Sequence, residues 1–477
     1  MNNILMFSAI VLILCIAFSK MLYKAGVPTL LIFMGLGMLL GSDGILGTKG
    51  IPFEDYELAE DICSIALVFI MFYGGFGTSW GKVKPIAVKA VLLSSLGTVL
   101  TAAFTGLFCH YVLNFSLLEG LLIGAVLGST DAASVFSILR SRKMSLKGGV
   151  DSILEVESGS NDPFAYMLTI VVLTVMTGDG NIFVPTLLAK QIIIGSLIGA
   201  LLGLASVWVL RKVSFEIDSF PIILVMAGTI LGYSLCNISF IGGNGFLCVY
   251  ISGIIIGNSK IFYRKSISNF FDGISWLMQI MLFFMLGLLS FPSKLPELAL
   301  TGTLIALFMM LVARPAAVLA IMAPFRTPMK QQAFISWVGI RGAASIAFSI
   351  YAVTSSTSFA NDIFHIVFIV VLFSVLIQGS FIPVVANKLS LINENNNNTL
   401  KSLGDMEDET YNQLLEFTVY ANHKWANKKI MEANLPKDVL IVMVKRGRDV
   451  VVPNGSTVII PGDVLILSGS NLDSIVS

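Results

Sequence analysis

The sequence predicts an all-α polytopic membrane protein of about thirteen transmembrane helices, followed by a small β-rich (α+β) C-terminal domain. Three observations carry this. Of 477 residues, 56% are apolar and only 12% charged, far from the balance of a soluble domain. The apolar residues fall into long runs punctuated by Pro and Gly. Basic residues cluster in alternate loops between those runs, as the positive-inside rule requires.

The runs in order are 4–20, 28–41, 59–75, 85–112, 117–139, 151–176, 184–210, 219–236, 245–259, 269–289, 296–323, 330–352 and 362–386. Several fall short of the ~20 residues a straight spanning helix needs, so extended or broken helices are expected there. Pro28, Pro85, Pro221, Pro296 and Pro328 mark edges. Met1 to Leu5 carries no basic segment, and Lys20 and Lys24 follow the first apolar run, which favours a retained first helix with its N-terminus outside. The basic loops then recur at Lys82/Lys84/Lys89, Arg140/Arg142/Lys143/Lys147, Arg211/Lys212, Lys260/Arg264/Lys265 and Arg326/Lys330, against Lys49, Lys190 and Lys294 in the opposite loops. An odd number of spans places the C-terminus in the cytoplasm.

After Lys388 the character changes. Residues 389–410 read as a linker, Asn-rich over Asn393 to Asn398 and acidic towards Glu409. Residues 411–477 alternate with β-branched side chains at Phe417 to Tyr420, Val439 to Val444, Val450 to Val452, Val458 to Ile460 and Val464 to Leu467, with turns at Gly447 and Pro461-Gly462-Asp463. At roughly seventy residues this cytosolic domain lies near the lower limit for independent stability, so docking or pairing is expected.

Near-balanced acids and bases give no sign of nucleic-acid binding. Cys15, Cys63, Cys109, Cys236 and Cys248 lie in apolar runs and read as small core hydrophobes, and no CxxC or histidine cluster marks a structural metal.

The informative segment is Glu157-Ser158-Gly159-Ser160-Asn161-Asp162-Pro163, inside the sixth run. A charge at such depth costs about 2.5–3.5 kcal/mol on insertion scales, so an acid there reads first as a cation or proton site. Glu157 and Asn161 share one helical face and Ser158 and Asp162 the next. Pro163 lacks an N–H, which deprives the Gly159 carbonyl of its usual partner. Carboxylate, amide, hydroxyl and carbonyl oxygens together suit a hard alkali cation. The deep charges are Asp131, Glu157 and Asp162 against Arg314 and Arg341. One negative charge is left over, which one monovalent cation or one proton would neutralise.

The fifth and twelfth runs, around Gly128-Ser129-Thr130-Asp131 and Gly339-Ile340-Arg341-Gly342, are small-residue segments each interrupted by one charge. If the seventh run is a spare between two six-span halves, these occupy matching positions, the pointer to an inverted-repeat transporter with broken, crossing helices. Asp131 would offset N-terminal helix ends there and Arg341 C-terminal ones.

The runs Gly128 to Ser134, Glu157 to Pro163 and Gly339 to Ala344 together resemble the NhaP-type monovalent cation:proton antiporters, with the likeness extending over residues 1–388 and falling nearest the potassium/proton (CvrA-type) branch. The resemblance implies a homodimer in the bacterial cell membrane, with a dimerisation domain and a mobile six-helix core. It implies that Asp162 carries cation and proton alternately, that Asn161 holds the core helices together, and that Thr130 and Ser158 join Asp162 as oxygen ligands of the monovalent cation. It makes Asp131 a compensator of helix ends and Glu157 the partner of Arg341 or Arg314. The tail, through Gly455-Ser456-Thr457 and Pro461-Gly462-Asp463, resembles the TrkA-C (RCK-C) regulatory domains, some of which bind nucleotides, including cyclic di-adenylate. No GxGxxG-bearing half accompanies it, which argues against an NAD site.

These features lead to an expectation of electroneutral exchange of K⁺, or Na⁺, for H⁺ by alternating access, with no enzyme activity and no cofactor. The rival classes are a sodium-selective antiporter of the same fold, a tail-gated cation channel, which would lack a TVGYG-like filter, and a cation-coupled symporter.

Overall fold

A computed structural model describes residues 6, 9–17, 29–41, 43, 53, 55–141, 144, 146–178, 183–217, 219–238, 240–355, 360–392, 413–420, 423–433, 435, 439–447 and 449–469. The chain forms two units, Met1–Glu394 and Asn395–Ser477.

In the first unit, residues 9–17 are helical. There follow α1 (Thr29–Leu40), α2 (Tyr56–Gly77), α3 (Ala87–Leu113), α4 (Leu117–Val126), α5 (Ala132–Ser141), α6 (Val150–Thr177) and α7 (Val184–Lys212). The second half holds α8 (Phe220–Asn237), α9 (Gly245–Gly257), α10 (Arg264–Leu288), α11 (Leu295–Phe325), α12 (Met329–Trp337), α13 (Ala343–Thr354) and α14 (Asp362–Lys388). Among the described residues, seven of these, α2, α3, α7, α8, α10, α11 and α14, are long and apolar enough to cross a bilayer unaided.

Local chemistry sets the boundaries. Asp55 caps α2 by accepting from Leu58 N, and Ser116 and Glu119 form a reciprocal capping box at α4. Asn114, at φ 58°, ends α3 in the left-handed conformation that Asn tolerates. The fifth and twelfth runs, each read as one span, are split in two: α4 stops at Val126 and α5 starts at Ala132, while α12 stops at Trp337 and α13 starts at Ala343. Each gap contains the charge singled out from the sequence, Asp131 in one and Arg341 in the other.

The two halves answer each other. The helix before each broken pair carries a π-helical segment, Leu93–Gly97 in α3 and Met309–Ala313 in α11. The third span of each half packs on the second span of the other, α2 on α9 and α10 on α1. Both contacts run backbone to backbone across glycine: a Cβ at Gly253 would strike the Phe72 carbonyl, and one at Gly287 the Met34 carbonyl. Helix α7 lies against α9 and leaves Leu197, Leu201, Leu204 and Trp208 exposed, an apolar face suited to lipid.

The chain stays packed beyond Lys388, where the linker was expected to begin. Lys147 N bonds the Leu391 carbonyl at 2.8 Å, and Ile392 bridges Leu146.

The second unit is a four-stranded antiparallel sheet of β1 (Gln413–Thr418), β2 (Val439–Arg446), β3 (Asp449–Val451) and β4 (Val464–Gly469), in the order β1-β4-β2-β3. Its small core gathers Val419, Trp425, Ile441, Val444, Ile459, Leu465 and Leu467. The run Val458 to Ile460 is not a strand as expected; only Val458 makes a bridge, to Lys429. The reason lies in the turn that follows. Asp463 reaches back to accept from Ile460 N, and Asn427 N bonds the Ile459 carbonyl, so this backbone is taken by loop contacts instead of a ladder. Arg446 holds the same Asp463 through two parallel bonds of 2.9 and 2.8 Å.

Candidate functional site

The two gaps meet. Asp131 N donates to the Ile340 carbonyl at 2.8 Å, tying one broken span to the other. Gly342 is required at this approach, because a Cβ there would run into the Asp131 side chain. Asp131 turns its carboxylate to the first turn of α5, accepting from Ser134 N at 3.1 Å and Ser134 Oγ at 2.5 Å. It thereby sits as an N-cap at the positive helix end. Arg341, 3% exposed, donates through Nη1 to the Ser129 carbonyl at 2.8 Å, just past the C-terminal end of α4. The two charges thus lie at helix ends of opposite polarity.

Helix α6 runs past this crossing and places its polar face against residues 129–131. Ser158 Oγ donates to the Thr130 carbonyl at 2.5 Å, and Asn161 Nδ2 to Thr130 Oγ1 at 2.5 Å. Both oxygens of Thr130 therefore accept from α6, with carbonyl and hydroxyl lone pairs left over. Ser129 Oγ donates to Asp162 Oδ1. Asp162 is half-buried, while Glu157, Ser158 and Asn161 are buried. Asn161 Oδ1 has no hydrogen-bond partner among the described residues.

Glu157 turns the other way. Of the two candidate arginines it is Arg314 that pairs with it, Nη2 to Oε1 at 2.5 Å, with the side chains 4% and 1% exposed. Arg314 sits directly after the π segment of α11, and Gly339 leaves room for its side chain, since a Cβ there would lie 2.9 Å from Arg314 Nε. Arg314 and Arg341 line a small cavity with Ser374 and Gln378. Ser374 accepts from Arg341 N at 3.1 Å, and Gln378 ties Ser374 to the Trp337 carbonyl.

Thr130, Asp131, Ser158, Asn161 and Asp162 are thus gathered at one place, with Glu157, Arg314 and Arg341 beside it. Sequence reasoning passed over five contributors. Ser129 stands in the same small-residue run as Thr130 and differs from it only in register. Ser134 completes the Asp131 cap. Ser374 and Gln378 are a polar pair one helical turn apart in an apolar span. Asn244, fully buried, caps α9 and donates to the Pro163 carbonyl at 2.9 Å; its signal was a lone amide after two glycines at the start of an apolar run.

What this geometry offers is a half-buried carboxylate, Asp162, that makes no ion pair among the described residues and sits among hydroxyl, amide and carbonyl oxygens at a helix crossing. The family described as "Sodium/hydrogen exchanger, transmembrane" matches residues 8–388, and the TrkA-C domain family matches residues 414–472. The K(+)/H(+) antiporter NhaP of Alkalimonas amylolytica is 37% identical over 87% of this chain and 72% of its own length. The K(+)/H(+) antiporter NhaP2 of Shewanella oneidensis is 34% identical over 98% and 81%. The solved structure of the sodium proton antiporter MjNhaP1 from Methanocaldococcus jannaschii at pH 8 covers 82% of this chain and 99% of its own, at 22% identity and a TM-score of 0.71, so it speaks for the fold. The chain therefore belongs to the sodium/hydrogen exchanger family: it is a multi-pass membrane transporter of the monovalent cation:proton antiporter class, not an enzyme, with a TrkA-C domain at residues 414–472.

Proposed function

We propose that this protein exchanges K⁺ for H⁺, one for one, with Asp162 carrying each in turn. The observation that carries the proposal is how differently the three deep acids are held. Glu157 is paired with Arg314, and Asp131 caps α5. Asp162 makes no ion pair among the described residues, keeps some exposure, and meets only the Ser129 hydroxyl. Ser129, Thr130, Ser158 and the unpartnered Asn161 oxygen are the neutral oxygen donors around it. Asn161 also holds α6 to the α4–α5 gap, and Arg341 and Asp131 hold the gaps together.

Cation and proton compete for one carboxylate. Loaded with either, the site is neutral and crosses at low cost; empty, it carries a charge that does not. That forbids net leak and enforces exchange. The names of the relatives from Alkalimonas and Shewanella support K⁺ as the cation. The proposal includes a homodimer in the bacterial inner membrane with the N-terminus outside and the C-terminus in the cytoplasm. Residues 1–388 are the exchanger, and residues 411–477 are a regulatory module whose ligand class is a nucleotide or cyclic di-nucleotide.

In proteoliposomes, an imposed K⁺ gradient should drive proton movement with wild-type protein and none with Asp162→Asn. Normal exchange by that variant would remove Asp162 from its role. Dependence of the driving force on membrane potential would contradict one-for-one exchange.

A further inference from the structure

Asp162 and Tyr166 are four residues apart on α6 and share a face. The Tyr166 ring lies one helical turn beyond Asp162. It stands edge-on to Phe246 of α9 at 4.8 Å and to Tyr351 of α13 at 5.3 Å, with Phe348 at 5.8 Å. Phe246 and Phe348 are wholly buried, and Ser64 and Tyr351 nearly so. Tyr351 then reaches across to α2, where its hydroxyl lies 2.6 Å from Ser64 Oγ. Ser64 has a single hydroxyl proton and spends it on the Glu60 carbonyl at 2.7 Å, so Tyr351 is the donor of the shared bond. Glu60, half-buried one turn further along α2, stands at the end of this line beside Thr354 of α13.

We propose that Tyr351 and Ser64 form a latch that closes one route to Asp162, with Tyr166, Phe246 and Phe348 as its plug and Glu60 as the acid at its mouth. Helices α2 and α9 are locked together through glycine, whereas α13 belongs to the crossing that holds Asp162. Any movement that opens this end must part α13 from α2, and so must break the Tyr351–Ser64 bond. In the proposed orientation α2 begins and α13 ends at the outer face, so the latch is an outer one. The inference rests on Asp162 as the exchange site and on that orientation.

Tyr351→Phe removes the donor and keeps the ring, and it leaves Ser64 bonded to Glu60. A neutral hydrogen bond of about 1 kcal/mol corresponds to a roughly fivefold population shift towards the open end. In the full-length protein, amide exchange should speed up about fivefold in residues 60–66 and 347–354 and stay unchanged in 150–158. In vesicles of defined sidedness, the apparent KM for K⁺ should fall by up to about fivefold on the outer side, with little change on the inner side. Ser64→Ala should act in the same way, and the double variant should add little to either. Faster exchange throughout the chain, equal KM shifts on both sides, or no change in either readout would overturn the latch. Wild-type vesicles without K⁺-driven proton movement would overturn the antiport reading instead, and the amide-exchange arm would still decide the latch.

Discussion

Arg314→Met should be among the most damaging single changes in the membrane unit. Its guanidinium and the Glu157 carboxylate meet at 2.5 Å with almost no solvent contact. Removing one member leaves the other buried without a counter-charge, at a cost of about 3–5 kcal/mol. Glu157→Gln should cost a similar amount for the mirror reason. The double variant Glu157→Gln/Arg314→Met removes both charges together, leaves the net charge of the crossing unchanged, and should return to within about 1 kcal/mol of wild type. The assay is an unfolding titration of the purified protein in detergent for all four members of the cycle, with K⁺-driven proton flux measured alongside. Because Asp162 is intact in the double variant, exchange should survive in it. A cost below about 1 kcal/mol for Arg314→Met, or a double variant as unstable as the sum of the two singles, would refute the reasoning. A stable double variant with no exchange would show that the pair does more than hold the structure.

Three further outcomes follow from the same geometry. Ser129→Ala removes the hydroxyl bonded to Asp162, and since bonds to charged groups contribute about 1.5–3 kcal/mol, the apparent KM for the cation should rise at least tenfold in the vesicle assay with the protein still folded. Gly342→Ala places a methyl group against Asp131 and should cost about 1–3 kcal/mol, read as a lower unfolding midpoint, while Gly273→Ala, where a Cβ meets nothing within 4 Å, should be close to neutral. In the tail, the Arg446 bonds hold the Asp463 carboxyl below its ordinary range despite its burial. A lowered carboxylate stabilises above its unfolded pKa, near 4, and loses that contribution as pH falls through the folded value. Amide exchange over residues 439–469 should therefore be insensitive to this pair from pH 5 to 8 and speed up only in stronger acid, and Arg446→Leu should move that onset upward.

Much of this architecture was legible in the chain because lipid imposes a simple rule. Spans of apolar residues located the helices, and a single charge within each small-residue run located both gaps. The gaps themselves follow from residues such as Gly128 and Gly342, which allow close approach, and from Asp131 and Arg341, which must find helix ends or oxygens at that depth. What periodicity does not encode is pairing at a distance. Arg314 and Arg341 look alike in sequence, and only the folded chain, which brings Arg314 of α11 to Glu157 of α6, decides that Arg314 takes Glu157. Ser129 was indistinguishable from its neighbour Thr130 until the turn after α4 aimed one hydroxyl at Asp162 and the other at Asn161. In the tail, β-branched Val458 to Ile460 read as a strand, yet Asp463 and Asn427 engage that backbone first.

If one carboxylate serves both ions, binding one must expel the other. Adding K⁺ to purified protein in weak buffer, near the midpoint pH of its transport activity, should release up to one proton per chain, and Asp162→Asn should release none while Glu157→Gln/Arg314→Met still does. Cation binding without proton release, or release that persists undiminished in Asp162→Asn, would contradict a shared site at Asp162.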